Sequence, residues 1–281
     1  MRYLLLFLAL AATALSAAGA SSSSSSSFSS SSAPAMPQVM LWSWQKIEDL
    51  RSVDAKNVGV AYLVGRFIVR GNEVVCQPRL SRLQLPGGCY REAVARVEVK
   101  ALPTKEKSAL VCAELAGKIA QLTLPNKISA VQIDFDARQN ERQFYLQLLR
   151  DLRQALPPDI ALSTTALASW SQGDLWLKEA VDQSSNGVKI DNVVPMFFTM
   201  GIGRGKALRM LAEKLPVSFN NKLSIGLSLS EPAAISAIAP RLKQFNHIYL
   251  FCSPGWSSEN LIKAGKLIDI KLTGEKKIGS F

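Results

Sequence analysis

Apolar and polar positions alternate along this chain with two different periods, and the period switches repeatedly from residue 37 onward. Stretches of period two read as β-strands, and apolar residues at i, i+3, i+4 and i+7 read as helices. The clearest stretch is Ala130–Arg142, A-V-Q-I-D-F-D-A-R-Q-N-E-R. Val131, Ile133 and Phe135 alternate with Gln132, Asp134 and Asp136, and Gln139 or Asn140 then opens a helical run through Phe144, Leu146, Leu148, Leu149 and Leu152. A strand that feeds a helix belongs in a parallel sheet covered by helices. Such strands are usually apolar on both faces. Two acids on one face break that pattern and mark a candidate site.

The same reading gives eight strands: Val39–Trp44, Val58–Val64, Arg96–Val99, Ala130–Asp136, Ile160–Thr165, Asn192–Phe198, Leu223–Leu227 and His247–Phe251. Helical patterns cover Gln45–Val53, Glu106–Gln121, the run ending at Ala155, Asp174–Ala180, Lys206–Lys214 and Ser257–Leu267. A further helix is capped by Ser230, with Glu231 and Pro232 in its first turn. A hairpin, Phe67–Val69 with Glu73–Cys76, is inserted after the second strand. Eight strand–helix alternations define an α/β fold of the (β/α)8 TIM-barrel type. A doubly wound sheet would stop earlier and carry a glycine-rich phosphate turn after its first strand, where this chain has Trp42-Ser43-Trp44-Gln45. Gly201-Ile202-Gly203-Arg204-Gly205 follows the sixth strand and reads as a turn or a flexible lid.

Composition adds a compartment and removes several chemistries. Hydrophobic content of 48% with 20% charged residues describes a globular protein with a sizeable core. The formal charge is +11, but the basic residues are dispersed apart from Lys263, Lys266, Lys271, Lys276 and Lys277. Without an arginine-rich run or an aromatic platform this is no nucleic-acid signature, and the basic surface suits anionic polymers instead. Arg2, the apolar run Leu4–Leu15 and the small residues Ala18-Gly19-Ala20 read as a signal peptide over residues 1–20, cut after Ala20. The apolar run is too short to span a bilayer, so the mature chain is expected to be periplasmic or secreted, with no transmembrane segment. Residues 21–36 form a serine-rich linker, which leaves residues 37–281 for the barrel.

Of the four cysteines, Cys76 and Cys89 flank the loop Gln77–Gly88 and are candidates for a disulfide in an oxidising compartment, whereas Cys112 and Cys252 read as buried thiols. The single histidine, His247, begins a strand, which argues against both a zinc site and a Ser-His-Asp triad. No cofactor is indicated, save that Asp134, Asp136 and Glu98 have the chemistry to hold a hard cation.

Chemistry in such barrels sits at the C-terminal strand ends. Asp134 and Asp136 end the fourth strand there, and Arg96, Glu98 and Lys100 share one face of the third. Neighbouring strands lie roughly 4.8 Å apart, which brings Glu98 within reach of the aspartates. Carboxylates roughly 5–5.5 Å apart suit a retaining glycosidase, and wider pairs an inverting one. In that reading Asp136 is nucleophile or electrostatic stabiliser, Asp134 sets its pKa, and Glu98 is the general acid. The competing reading of the same residues is a closed ion network that plugs the barrel. Trp42, Trp44, Trp170, Trp176 and Trp256, together with Phe198, all fall on the strand-to-helix side. Aromatic faces at a polar cleft stack on sugar rings, so they favour a glycan ligand; the alternative is packing beneath loops.

These motifs are familiar. I-D-F-D-A at Ile133–Ala137, E-R at Glu141–Arg142, L-L-R-D-L-R at Leu148–Arg153, T-A-L-A-S-W at Thr165–Trp170, G-D-x-W-L at Gly173–Leu177 and P-M-F-F-x-M-G at Pro195–Gly201 resemble a bacterial family labelled domain of unknown function 3142. That family has no established activity, and the resemblance implies a barrel distantly related to glycoside hydrolases. More remotely, I-D-F-D is similar to the D-x-x-D-x-D-x-E strand of chitinase-like family-18 glycosidases. Asp134 and Asp136 match its last two aspartates, while Arg138 stands where the catalytic glutamate falls. Phe197 and Phe198 replace the tyrosine of the sixth strand. The resemblance therefore implies one of two things: a glycosidase in which Glu98 supplies the proton, or a non-catalytic carbohydrate-binding barrel that has lost the acid. Trp42, Trp44, Trp170, Trp256 and Phe198 would line the sugar site. Arg138 and Arg142 would hold an anionic sugar or pair with Asp136 and Glu141.

Overall fold

The computed structural model describes residues 34–182 and 188–274; the candidate signal peptide and the serine run through residue 33 lie outside them. In chain order the strands are β1 (Val39–Ser43), β2 (Glu48–Asp49), β3 (Val58–Arg70), β4 (Glu73–Pro78), β5 (Leu83–Gln84), β6 (Arg91–Ala101), β7 (Ala130–Asp134), β8 (Ala161–Leu167), β9 (Asn192–Met196), β10 (Ser224–Ser228) and β11 (His247–Phe251). The helices are α1 (Ser108–Thr123), α2 (Arg142–Ala155), α3 (Trp176–Asp182), α4 (Arg204–Glu213), α5 (Pro232–Ile238) and α6 (Ser258–Ile268). Eight strands pair in the order β1-β11-β10-β9-β8-β7-β6-β3, and β3 closes the ring by pairing with β1. Every pairing in that ring is parallel. The expected (β/α)8 barrel is therefore the fold.

Alternation along each strand divides the residues between two layers. One set faces outward under the helices, as Val131 and Ile133 do against Tyr145, Leu148 and Leu149 of α2. The other fills the lumen with Met40, Trp42, Tyr90, Val94, Val194 and Tyr249. Trp42 fits there because its neighbour across the lumen is Gly226: a Cβ at that position would lie 2.7 Å from the indole.

Three expectations change. No helix forms over Gln45–Val53. Instead Glu48–Asp49 pairs with Leu83–Gln84, the Glu48 and Leu50 amides donate to Arg82 and Gln84 carbonyls, and the buried Glu48 carboxylate accepts the Trp256 amide. Tertiary partners for both backbone and side chain outweigh the helical pattern. The connections from β1 to β3 and from β3 to β6 are thus non-helical among the described residues, and the six helices follow the other six strands.

Second, the inserted hairpin is no separate excursion. β3 runs on past the rim, turns at Gly71-Asn72 with Gly71 at φ 61°, and returns as β4. β6 rises beside it, in register from Val60↔Arg91 to Arg70↔Ala101. The result is a three-stranded ledge standing above the C-terminal face, with α1 packed behind it. Third, Cys76 and Cys89 are both free thiols. Arg79 and Ser81 tie the intervening loop to the Ser43, Lys46 and Gln45 carbonyls, so it is anchored on the rim instead of being closed on itself.

Candidate functional site

A cavity of about 650 Å³ opens at the C-terminal mouth of the barrel. Its lining divides into two arcs. The polar arc comes from β6, β7 and β8 and the turn after β8: Arg96, Asp134, Asp136, Thr165, Gln172 and Asp174. The apolar arc comes from β9, β11 and β1: Met196, Phe198, Phe251, Trp42 and Trp44, extended by Met200 and Met210 from the segment after β9.

Arg96 organises the polar arc. β6 and β7 pair with Arg96 directly beside Asp134, and the guanidinium bridges two carboxylates, Asp134 at 3.0 Å and Asp136 at 2.8 Å. Burial alone would lower the Arg96 pKa, but the two aspartates outweigh it and raise it. Asp134 is buried, and burial pushes its carboxyl up, with Asp136 adding to that while Arg96 and Thr165 hold it back. One Asp134 oxygen takes the guanidinium and the other accepts the Thr165 hydroxyl at 3.0 Å. Both oxygens are committed. Asp136 is 40% exposed, and only its Oδ2 is engaged. Asp174 pairs with Arg142, whose guanidinium stacks 4.9 Å over Trp176.

Glu98 lies outside the cavity lining. It sits two residues beyond the last β6–β7 pairing, on the ledge, where Arg66 at 2.5 Å and Lys100 at 2.9 Å hold it. Hydrogen bonds from those two cations keep its carboxyl below the usual range, the wrong direction for a proton donor. Alternation did place Arg96, Glu98 and Lys100 on one face. It could not show that β7 ends before Glu98 finds a carboxylate partner.

The aromatic rim also divides. Trp42, Trp44 and Phe198 line the cavity. Trp42 donates its indole N–H to Gln132 at 2.8 Å, Trp44 meets Phe251 edge-on, and Phe198 stacks on Phe251 at 5.7 Å. Trp170 and Trp256 are buried away from the cavity instead: Trp170 packs on Trp176 and Tyr145 of the neighbouring helices, and Trp256 donates to the Trp42 carbonyl. Arg138 points to solvent, 75% exposed, with Glu141 3.9 Å away. Arg142 pairs with Asp174 rather than with Asp136 or Glu141. Among the described residues no group of three or more His, Cys, Asp or Glu is arranged to hold a metal, and a guanidinium already stands between Asp134 and Asp136.

Four polar groups are not among the residues the sequence singled out: Gln172 and Asp174, which lie in the turn after β8, and Thr165 and Glu92. Thr165 follows from the alternation of β8 and needed only to be counted. Glu92 lies four residues before Arg96 on the same face of β6, deep in the lumen and fully buried. Ser163 at 2.5 Å, Tyr249 at 2.7 Å and Gln132 at 3.4 Å donate to it. Burial pushes its carboxyl up to about 7, against those hydrogen bonds.

No known family model matches this chain, and no curated protein matches it. The resemblance to domain of unknown function 3142 therefore rests on its short motifs alone. Among solved structures, the crystal structure of a GH18 chitinase from Pseudoalteromonas aurantia is similar, with 12% identity and a TM-score of 0.49 over 75% of this chain and 93% of that one. The barrel itself is established by this chain's own strand order.

Proposed function

We propose that this barrel binds a glycan at its mouth without cleaving it. A sugar ring has an apolar C–H face and a rim of hydroxyls. The cavity offers the matching pair: Trp44 and Phe198 on one arc, and the free oxygen of Asp136 with Thr165, Gln172 and Asp174 on the other. Few, well-placed polar groups in a mostly apolar concavity are the usual make-up of such a site. The observation that carries the non-catalytic reading is the double engagement of Asp134 by Arg96 and Thr165. Acid–base work needs a proton donor within reach of the leaving oxygen. Asp134 already has a partner on each oxygen, Asp174 is paired with Arg142, Glu98 is held on the ledge, and position 138 is arginine.

The hydrolytic reading keeps one observation in its favour, the upward push of burial on Asp134 beside a half-exposed Asp136. That pairing of environments resembles an acid and its partner. Against it stands the engagement of that same carboxyl, which has Arg96 on one oxygen and Thr165 on the other. The secreted or periplasmic location expected from residues 1–20 places the protein among envelope or extracellular glycans. A glycan array with the full chain, Trp44→Ala and Asp136→Asn tests the reading: wild type should retain specific glycans, and each variant should bind them at least tenfold more weakly. Absence of any retained glycan would overturn it.

A further inference from the structure

The cavity is larger and greasier than a sugar ring requires. Beyond the aromatic pair, its apolar arc continues through Leu167, Met196, Met200, Ala207 and Met210. Three methionines thus gather around one cavity, whereas Met36 and Met40 lie away from its lining. Methionine is the side chain that adapts to flexible apolar groups. Left facing water, such a wall forgoes the gain of apolar burial that a ligand covering it would supply. The polar arc stands opposite, so an occupant that satisfies both must itself be polar at one end and apolar at the other.

A second observation points the same way. Ile202, at the tip of the turn between β9 and α4, is fully exposed and has Arg204 and Lys206 beside it. At the β1 side of the mouth, Ile47 is 81% and Leu80 93% exposed, with Lys46 and Arg82 as neighbours in sequence. Arg79 and Ser81 hydrogen-bond those two loops together. Exposed aliphatic tips beside cations flank the cavity on two sides. Single exposed apolar residues are ordinary; tips of this kind at both edges of one amphipathic cavity suit a ligand that lives among other amphiphiles.

We infer that the ligand is an amphiphilic glycan, a sugar head carrying an alkyl or acyl chain, with the head against Asp136 and Trp44 and the chain along Met196, Met200 and Met210. This rests on the carbohydrate reading above and adds the substrate class. The volume matches it, since pockets of roughly 300–1,000 Å³ enclose whole drug-sized ligands.

The test is calorimetric titration of the full chain with methyl, hexyl and octyl glucosides and the matching galactosides, all below their micelle concentrations, with octanol as the sugar-free probe. Affinity should rise with chain length in at least one series, by up to about fourfold per methylene. Both methionines are half-buried, and the double variant Met200→Ser, Met210→Ser should flatten that rise. Equal binding of methyl and octyl glycosides would overturn the amphiphile and leave the carbohydrate reading standing. Octanol binding as tightly as octyl glycosides would overturn the sugar head, and the carbohydrate reading with it. Failure of every probe to bind would overturn the amphiphile, and the glycan array alone would then decide the carbohydrate reading. The wild-type series decides the matter even if the double variant does not fold.

Discussion

Two buried carboxyls stand on neighbouring strands of this barrel and are given opposite kinds of partner. Glu92, deep in the lumen, is surrounded by neutral donors, Ser163, Tyr249 and Gln132. Asp134, at the mouth, has a guanidinium against one oxygen and a hydroxyl against the other. A buried carboxyl with neutral partners answers burial by keeping its proton, as the rise to about 7 at Glu92 records. At Asp134 burial pushes the same way, and the Arg96 guanidinium holds the carboxyl back. The lumen thus holds a carboxyl among neutral donors, and the mouth holds an ionic cluster in which Asp136 faces the cavity.

Removing the cation should have the largest effect. Arg96→Ala leaves Asp134 buried without its countercharge, and urea unfolding at neutral pH should show a loss of about 3–5 kcal/mol. Adding Asp134→Asn should recover part of it, because the stranded charge goes too. An Arg96→Ala variant as stable as wild type would show that the two carboxyls are not treated differently.

The pH dependence comes next. Glu92 titrates near 4.5 when unfolded and near 7 when folded. Between those values the native state holds a proton that the unfolded chain has released, so the stability Glu92 contributes is fully present below pH 4.5 and is lost as pH rises through 7. A shift of that size corresponds to about 3 kcal/mol. Glu92→Gln should lose this decline, and denaturant melts across that range read it directly. Gly226→Ala should cost about 1–3 kcal/mol by overpacking, since the new methyl meets Trp42. It should also weaken glycan binding, because Trp42 lines the cavity. The smallest effect belongs to Arg138→Ala: an exposed side chain away from the cavity should change stability by less than about 0.5 kcal/mol and leave glycan binding as it was.

The barrel was legible because its signal is periodic. Alternating polarity and a helix after most strands are local features, and they suffice for closure to be inferred. The site was legible in part for the same reason. Asp134, Asp136, Trp42, Trp44 and Phe198 sit at strand ends, and strand ends converge at a barrel mouth. What failed was everything set by how far a strand runs. β6 continues past β7, which carries Glu98 onto the ledge, and it starts five residues before its predicted beginning, which hid Glu92. Trp170 and Trp256 failed differently. Their position after a strand end was right, but a side chain there can turn away from a cavity as readily as into it, and only packing decides. The stretch Gln45–Val53 shows tertiary hydrogen bonds overriding a helical pattern, with Glu48 pinned by Trp256.

The most direct measurement follows the fate of a bound glycan. Oligosaccharides retained on the array are incubated at length with wild-type protein and with Asp136→Asn, and their masses are read by mass spectrometry. The binding barrel described here returns every oligosaccharide intact from both proteins, with retention weakened in the variant. Shorter products from wild type that disappear in Asp136→Asn would contradict it. They would make Asp134 and Asp136 a working catalytic pair despite the guanidinium between them.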